Sequence, residues 1–142
     1  MNKPCSDPRK RARVLVINDQ SDISHLIQFL LKQAREDEVT IAFSAQEGID
    51  IVQTEIPDLI LIDITMPKLS GFDTCSMLRA IPALQQTPIL LFDCLTIESV
   101  YPSAKQVGAT GFLSLPFDYA ELLAARDALL RGETYYPLDD AR

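Results

Sequence analysis

Four polar residues stand directly after short apolar runs: Asn18 and Asp19 after VLVI, Asp63 after LILI, and Asp93 after ILLF. If those runs are strands of one open parallel sheet, the polar residues share the edge at the carboxyl ends of the strands, where such sheets bind ligands. Three carboxylates and an amide then converge. A single Asp after a strand is ordinarily a helix cap, but carboxylates gathered at one edge repel one another unless a cation or a reaction uses them. Oxygen ligands of this kind suit a hard divalent cation, Mg²⁺.

The periodicity of the chain supplies the elements that would hold these groups. Residues 13–17 form an apolar run, and Ile23, Leu26, Ile27, Leu30 and Leu31 follow at helical spacing. Residues 39–43 are strand-like, and Ser44-Ala-Gln-Glu47 is a capping box opening a helix through Gly48 to about residue 54. Residues 58–62 read as a buried strand, followed by a loop with Pro67 and Gly71 and a helix carrying Phe72, Cys75, Met77 and Leu78. Residues 89–92 and 111–114 are the fourth and fifth strands. Asp118 and Glu121 cap a last helix with Leu122, Leu123, Leu129 and Leu130 on one face. Strands apolar throughout, alternating with helices, are buried on both faces, which predicts an α/β fold with a parallel sheet covered on each side. Pro102 interrupts the fourth helical segment. The expectation is a long loop from 93 to about 100 and a short helix ending near Gly108, with the proline in its first turn.

Bulk properties narrow the function classes. A chain of 142 residues supports one domain. Its apolar runs are too short to span a bilayer, no secretory signal follows the N-terminus, and a cytoplasmic location is the expectation. Cys5, Cys75 and Cys94 lack metal-ligand spacing, and His25 alone cannot complete a zinc site. The formal charge is −7, yet Lys3, Arg9, Lys10, Arg11 and Arg13 crowd the start; from residue 14 onward 8 basic side chains face 19 acidic ones, a net of −11. An acidic body argues against a nucleic-acid surface, and the basic arm reads first as a solvated tail.

The segments VLVIND, LILIDITMP with SGFD after it, TPILLFD and GATGFLSLPF resemble those of response regulator receiver domains. The likeness runs from residue 13 to about 131, with Asp19 and Asp63 separated by 44 residues, Asp63 and Asp93 by 30, and Asp93 and Leu115 by 22, all in the family's spacing. The resemblance implies a flavodoxin-like (βα)5 fold of five parallel strands and five helices. It implies that Asp63 accepts a phosphoryl group, that Asp19, Asp63 and the Thr65 carbonyl hold Mg²⁺, with Asn18 a weak contributor, that Phe112 is the aromatic switch residue, and that Pro116 is a candidate cis-proline. Expected partners are a sensor histidine kinase or a downstream signalling protein, and the fourth helix, fifth strand and fifth helix form a candidate homodimer face. Residues 1–12 are then a basic arm, 13–131 the receiver domain, and 132–142 a short tail without an output domain, although RGETYYP resembles the segment leading to one in some regulators. An independent enzyme is not expected.

Three pocket positions depart from the family. Asn18 replaces a carboxylate, Asp93 replaces a hydroxyl residue that would bond the phosphoryl group, and Leu115, ahead of Pro116, replaces a lysine. Asp19, Asp63 and Asp93 without the lysine sum to −3 where the family pattern sums to −2. A like charge a few ångströms away costs about 1–4 kcal/mol. Either Asp93 turns inward to share the cation or one carboxyl stays protonated. Two functions follow: a phosphorylated receiver with weakened metal binding, and a phosphorylation-independent pseudo-receiver acting as a protein-interaction module.

Overall fold

The computed structural model describes residues 11–137; Cys5 and the basic residues Lys3, Arg9 and Lys10 lie outside them. Five strands, β1 (Arg13–Ile17), β2 (Glu38–Ala42), β3 (Leu59–Asp63), β4 (Ile89–Asp93) and β5 (Gly111–Ser114), alternate with five helices, α1 (Ser21–Arg35), α2 (Ala45–Val52), α3 (Gly71–Arg79), α4 (Ile97–Val107) and α5 (Tyr119–Leu130). All strand pairs are parallel, in the order β2-β1-β3-β4-β5. Among the described residues no helix is long and apolar enough to cross a membrane.

Successive residues of a strand point to opposite faces, and β3 shows the result. Ile60 and Ile62 pack with Cys75, Leu78, Val100 and Ala104 of α3 and α4, while Leu59 and Leu61 pack with Ile27, Leu31, Leu122 and Leu129 of α1 and α5. Full burial of such side chains contributes about 1.5–3 kcal/mol each. Apolar content alone misplaces two residues: Leu26 and Met77, assigned to helix stripes from the sequence, are 48% and 42% exposed.

The edges of several elements shift by a residue from the sequence expectation. β2 ends at Ala42, so Phe43 leaves the strand, and β3 begins at Leu59 because the Asp58 carboxylate accepts the Arg13 N–H at 2.9 Å. Asp63 is therefore the last residue of β3, beside Phe92. Ser44 caps α2 by accepting the Glu47 N–H, but the box expected there does not close, because Glu47 Oε1 accepts the Phe43 N–H at 2.8 Å instead of that of Ser44; Asp118 caps α5 in a closed capping box with Glu121.

The fourth helix overturns the expectation of a late start. It begins at Ile97, and Pro102 lies inside it. The Thr96 hydroxyl accepts the Ser99 N–H at 3.3 Å, and buried Val100 and Ala104 anchor the helix on the sheet. Capping and burial together outweigh the one hydrogen bond the proline removes. The end at Gly108, φ 86°, is as expected, because only glycine enters the left-handed region without strain.

Candidate functional site

β1, β3 and β4 are adjacent at the centre of the sheet, and their carboxyl ends bring Asn18, Asp63 and Asp93 to one shallow pocket of about 200 Å³. None of the aspartates serves as a helix cap. The N-caps of the helices that follow β1, β3 and β4 are Gln20, Ser70 and Thr96. The ordinary reason for an Asp after a strand is thus missing at all three positions.

Asp63 is 8% exposed, and its Oδ1 accepts the Thr65 N–H at 3.1 Å. Burial pushes its carboxyl up to about 6. The Thr65 N–H pulls the other way, and the charges of Asp93 and Asp19 add to the rise. The loop after Asp63 is held by close backbone packing: the Gly71 N–H donates to the Ile64 carbonyl at 2.7 Å, and a Cβ on Gly71 would meet the Asp63 carbonyl oxygen and the Ile64 Cα at 2.6 Å. Only glycine lets α3 start against this loop.

The other positions differ in how they use their groups. Asn18 is buried, and its amide closes a local turn, Nδ2 donating to the Gln20 carbonyl at 3.1 Å and Oδ1 accepting the Gln20 N–H at 3.3 Å. Asp19 is exposed and outside the pocket lining, though its charge reaches Asp63. The four groups therefore do not all converge as the strand-end pattern suggested, because two consecutive residues leaving a strand point in different directions. Among the described residues no group of three or more His, Cys, Asp or Glu is placed to hold a metal. Asp93 lines the pocket with both oxygens engaged, Oδ2 accepting the Thr65 hydroxyl at 2.5 Å and Oδ1 the Cys94 N–H at 2.6 Å. Leu115 packs into the apolar layer beside α1 and α5, the Leu115–Pro116 peptide is cis, and Phe112 is fully buried.

Sequence reasoning did not find the Thr65–Asp93 bond or the place of Gln20 and Cys94 in the lining. The bond spans 28 residues and joins the loop after β3 to the end of β4, and no periodicity reports such a contact. His25 is exposed, and Cys75 is buried, with its thiol pushed up to about 11 by burial.

A five-stranded parallel sheet in this order, with helices on both faces and a buried carboxylate ending its central strand, is a doubly wound, flavodoxin-like architecture. The chain matches the response regulator receiver domain family over residues 14–127, and it belongs to that family. It is 32% identical over 119 residues to the alkaline phosphatase synthesis transcriptional regulatory protein PhoP of Bacillus subtilis (strain 168), a match covering 84% of this chain and 48% of that protein. The chain spans about half the length of this curated relative. Among solved structures it is similar to the chemotaxis response regulator CheY4 of Vibrio cholerae, at 32% identity and a TM-score of 0.76, covering 80% of this chain and 94% of that one. A LuxR-family two-component response regulator from Aurantimonas sp. SI85-9A1 shares the fold at 24% identity and a TM-score of 0.81, covering 89% of this chain and 91% of its own.

Proposed function

We propose that this receiver domain takes a phosphoryl group on Asp63 and relays it as a signal, in a pocket whose switching groups are altered. The observation that carries the reading is Asp63 itself: a buried carboxylate at the end of the central strand, with one oxygen fixed by the Thr65 N–H and Oδ2 without a hydrogen bond among the described residues. Oδ2 attacks the donor phosphorus, forming an O–P bond while the bond from phosphorus to the donor breaks, and the electron pair leaves with the donor. For a phosphohistidine of a sensor kinase that leaving group is an imidazole, which takes up a proton.

The donors at hand are hard oxygens, which suit Mg²⁺ or Mn²⁺. Asp63, Asp19 and the Thr65 carbonyl would hold the ion, with Asn18 contributing little because its amide is occupied. When bound, Mg²⁺ neutralises the charge on the phosphoryl oxygens. Asp63 is held in place by the Thr65 N–H, and the loop beneath it is fixed by Gly71. Leu115 provides no cation for the phosphoryl group. Calorimetric titration with Mg²⁺ tests this: the protein gives weak binding heat and Asp63→Ala gives none, whereas identical heats for the two remove the assignment.

A second reading is favoured by one contact. The Thr65 hydroxyl donating to Asp93 ties the loop after β3 to the end of β4 without any phosphoryl group. In a phosphorylation-independent interaction module this bond would hold the loop and the strand end in a single arrangement. The variant Asp93→Thr with Leu115→Lys separates the readings. It makes the pocket more positive by two charges and supplies two groups for phosphoryl oxygens. On addition of beryllofluoride and Mg²⁺, hydrogen exchange in residues 93–100 and at Phe112 should change far more in this double variant than in the protein itself. Full changes in the unaltered protein would show that Asp93 and Leu115 do not impair switching.

A further inference from the structure

After α5 the chain reverses at Gly132, φ 88°, and returns along the outer edge of β5. The Tyr135 N–H donates to the Thr110 carbonyl at 2.9 Å, and the Phe112 N–H donates to the Tyr135 carbonyl at 2.9 Å, so Tyr135 pairs in parallel with Gly111. This is one step of a sixth strand. The two tyrosines behave as strand neighbours should, Tyr135 packing against the layer of α1 and α5 and Tyr136 against the opposite layer.

The surface under this segment is shaped for it. The Tyr136 hydroxyl donates to the Ala109 carbonyl at 2.7 Å, its ring meets the Tyr101 ring of α4 edge to face at 4.9 Å, and the Lys105 ammonium lies 5.8 Å from its centre. A Cβ at Gly111 would come within 2.9 Å of the Tyr135 carbonyl oxygen and 3.3 Å of the Tyr135 Cβ. Gly111 is therefore fitted to the returning segment, and Arg131 bridges Glu133 at 2.9 Å across the turn that directs it there.

We infer that β5 and α4 form a site that accepts an extended, tyrosine-bearing segment by strand addition, and that residues 134–137 occupy it in cis. The attachment is short: two backbone bonds, one hydroxyl bond, one aromatic pair, the Lys105 contact and the packing of two half-buried tyrosines, none of which belongs to the ladders among β1 to β5. It opens without unfolding the sheet. Once open, the edge offers unpaired backbone groups and the Tyr101 ring to the same segment of a second copy of this chain, which already has the right shape.

Hydrogen exchange on the full chain tests the inference. The Phe112 and Tyr135 amides should exchange through a local opening, faster than the central β3 amides by at least about ten-fold. In Tyr136→Ala they should exchange faster still, with β3 unchanged. A synthetic peptide of residues 132–142, standing for the tail of a second copy, should then restore Phe112 protection, and the same peptide with Tyr136→Ala should not. If Tyr136→Ala does not fold, Tyr136→Phe keeps the ring and removes only the hydroxyl bond, and a smaller acceleration with the same peptide rescue is expected. Exchange of Phe112 only through global unfolding, or failure of the wild-type peptide to restore protection, overturns the inference.

Discussion

With its carboxyl pushed up to about 6 from 3.8, Asp63 favours the acid form in the fold more than in the unfolded chain. The associated stability is present below about pH 4 and is lost as pH rises through 6. In metal-free protein, Asp63→Asn should therefore raise stability by about 1–2 kcal/mol at pH 8, a value reduced from the full shift because solvent reaches the pocket mouth. The gain should shrink toward pH 4. Urea unfolding in EDTA at pH 4, 6 and 8 measures it, and an equal difference at every pH would show that Asp63 is not the group titrating. The positions of Asn18, Asp63 and Asp93 were legible in the sequence because a polar residue after an apolar run is a local signal. The use of their side chains was not, since the Asn18 turn and the Thr65–Asp93 bond depend on loop geometry.

At the scale of elements, Pro102 lies five residues into α4, where its missing N–H leaves the Glu98 carbonyl without its helical partner. Pro102→Ala should stabilise the protein by about 1–2 kcal/mol, the restored bond outweighing the greater freedom given to the unfolded chain. A loss of stability on thermal or urea unfolding would mean that the helix is bent to fit its proline. Gly71→Ala should act in the opposite direction and cost about 2 kcal/mol or more, because its methyl meets backbone rather than a movable side chain. The five β–α units were legible from periodicity and caps. The start of α4 was not, because a helix cap at Thr96 and two buried contacts compete with a proline and only the packed structure decides between them.

Across the whole molecule, the pocket at one end of the sheet has a counterweight at the other. Arg126 of α5 is fully buried, its Nη2 and Nε donating to Asp37 at 2.6 and 2.9 Å, while Asp37 Oδ1 also accepts the Ala12 N–H at 2.8 Å. This joins α5 to the turn before β2 and to the start of β1. No sequence pattern marked it, since an Arg within LLAARDALL reads as a solvated position. Asp37→Ala removes two charged hydrogen bonds from the buried Arg126, which keeps its bond to Asp127, and should cost about 2–3 kcal/mol; under the proposed function, phosphoryl transfer to Asp63 at the far end is unchanged wherever the variant is folded. In the proposed function the reactive end of the molecule rests on Asp63. Intact-mass measurement after incubation with acetyl phosphate and Mg²⁺ tests this most directly. The protein should gain the mass of one phosphoryl group, and Asp63→Asn should gain none; a protein that stays unmodified, or a variant modified to the same extent, would contradict the assignment.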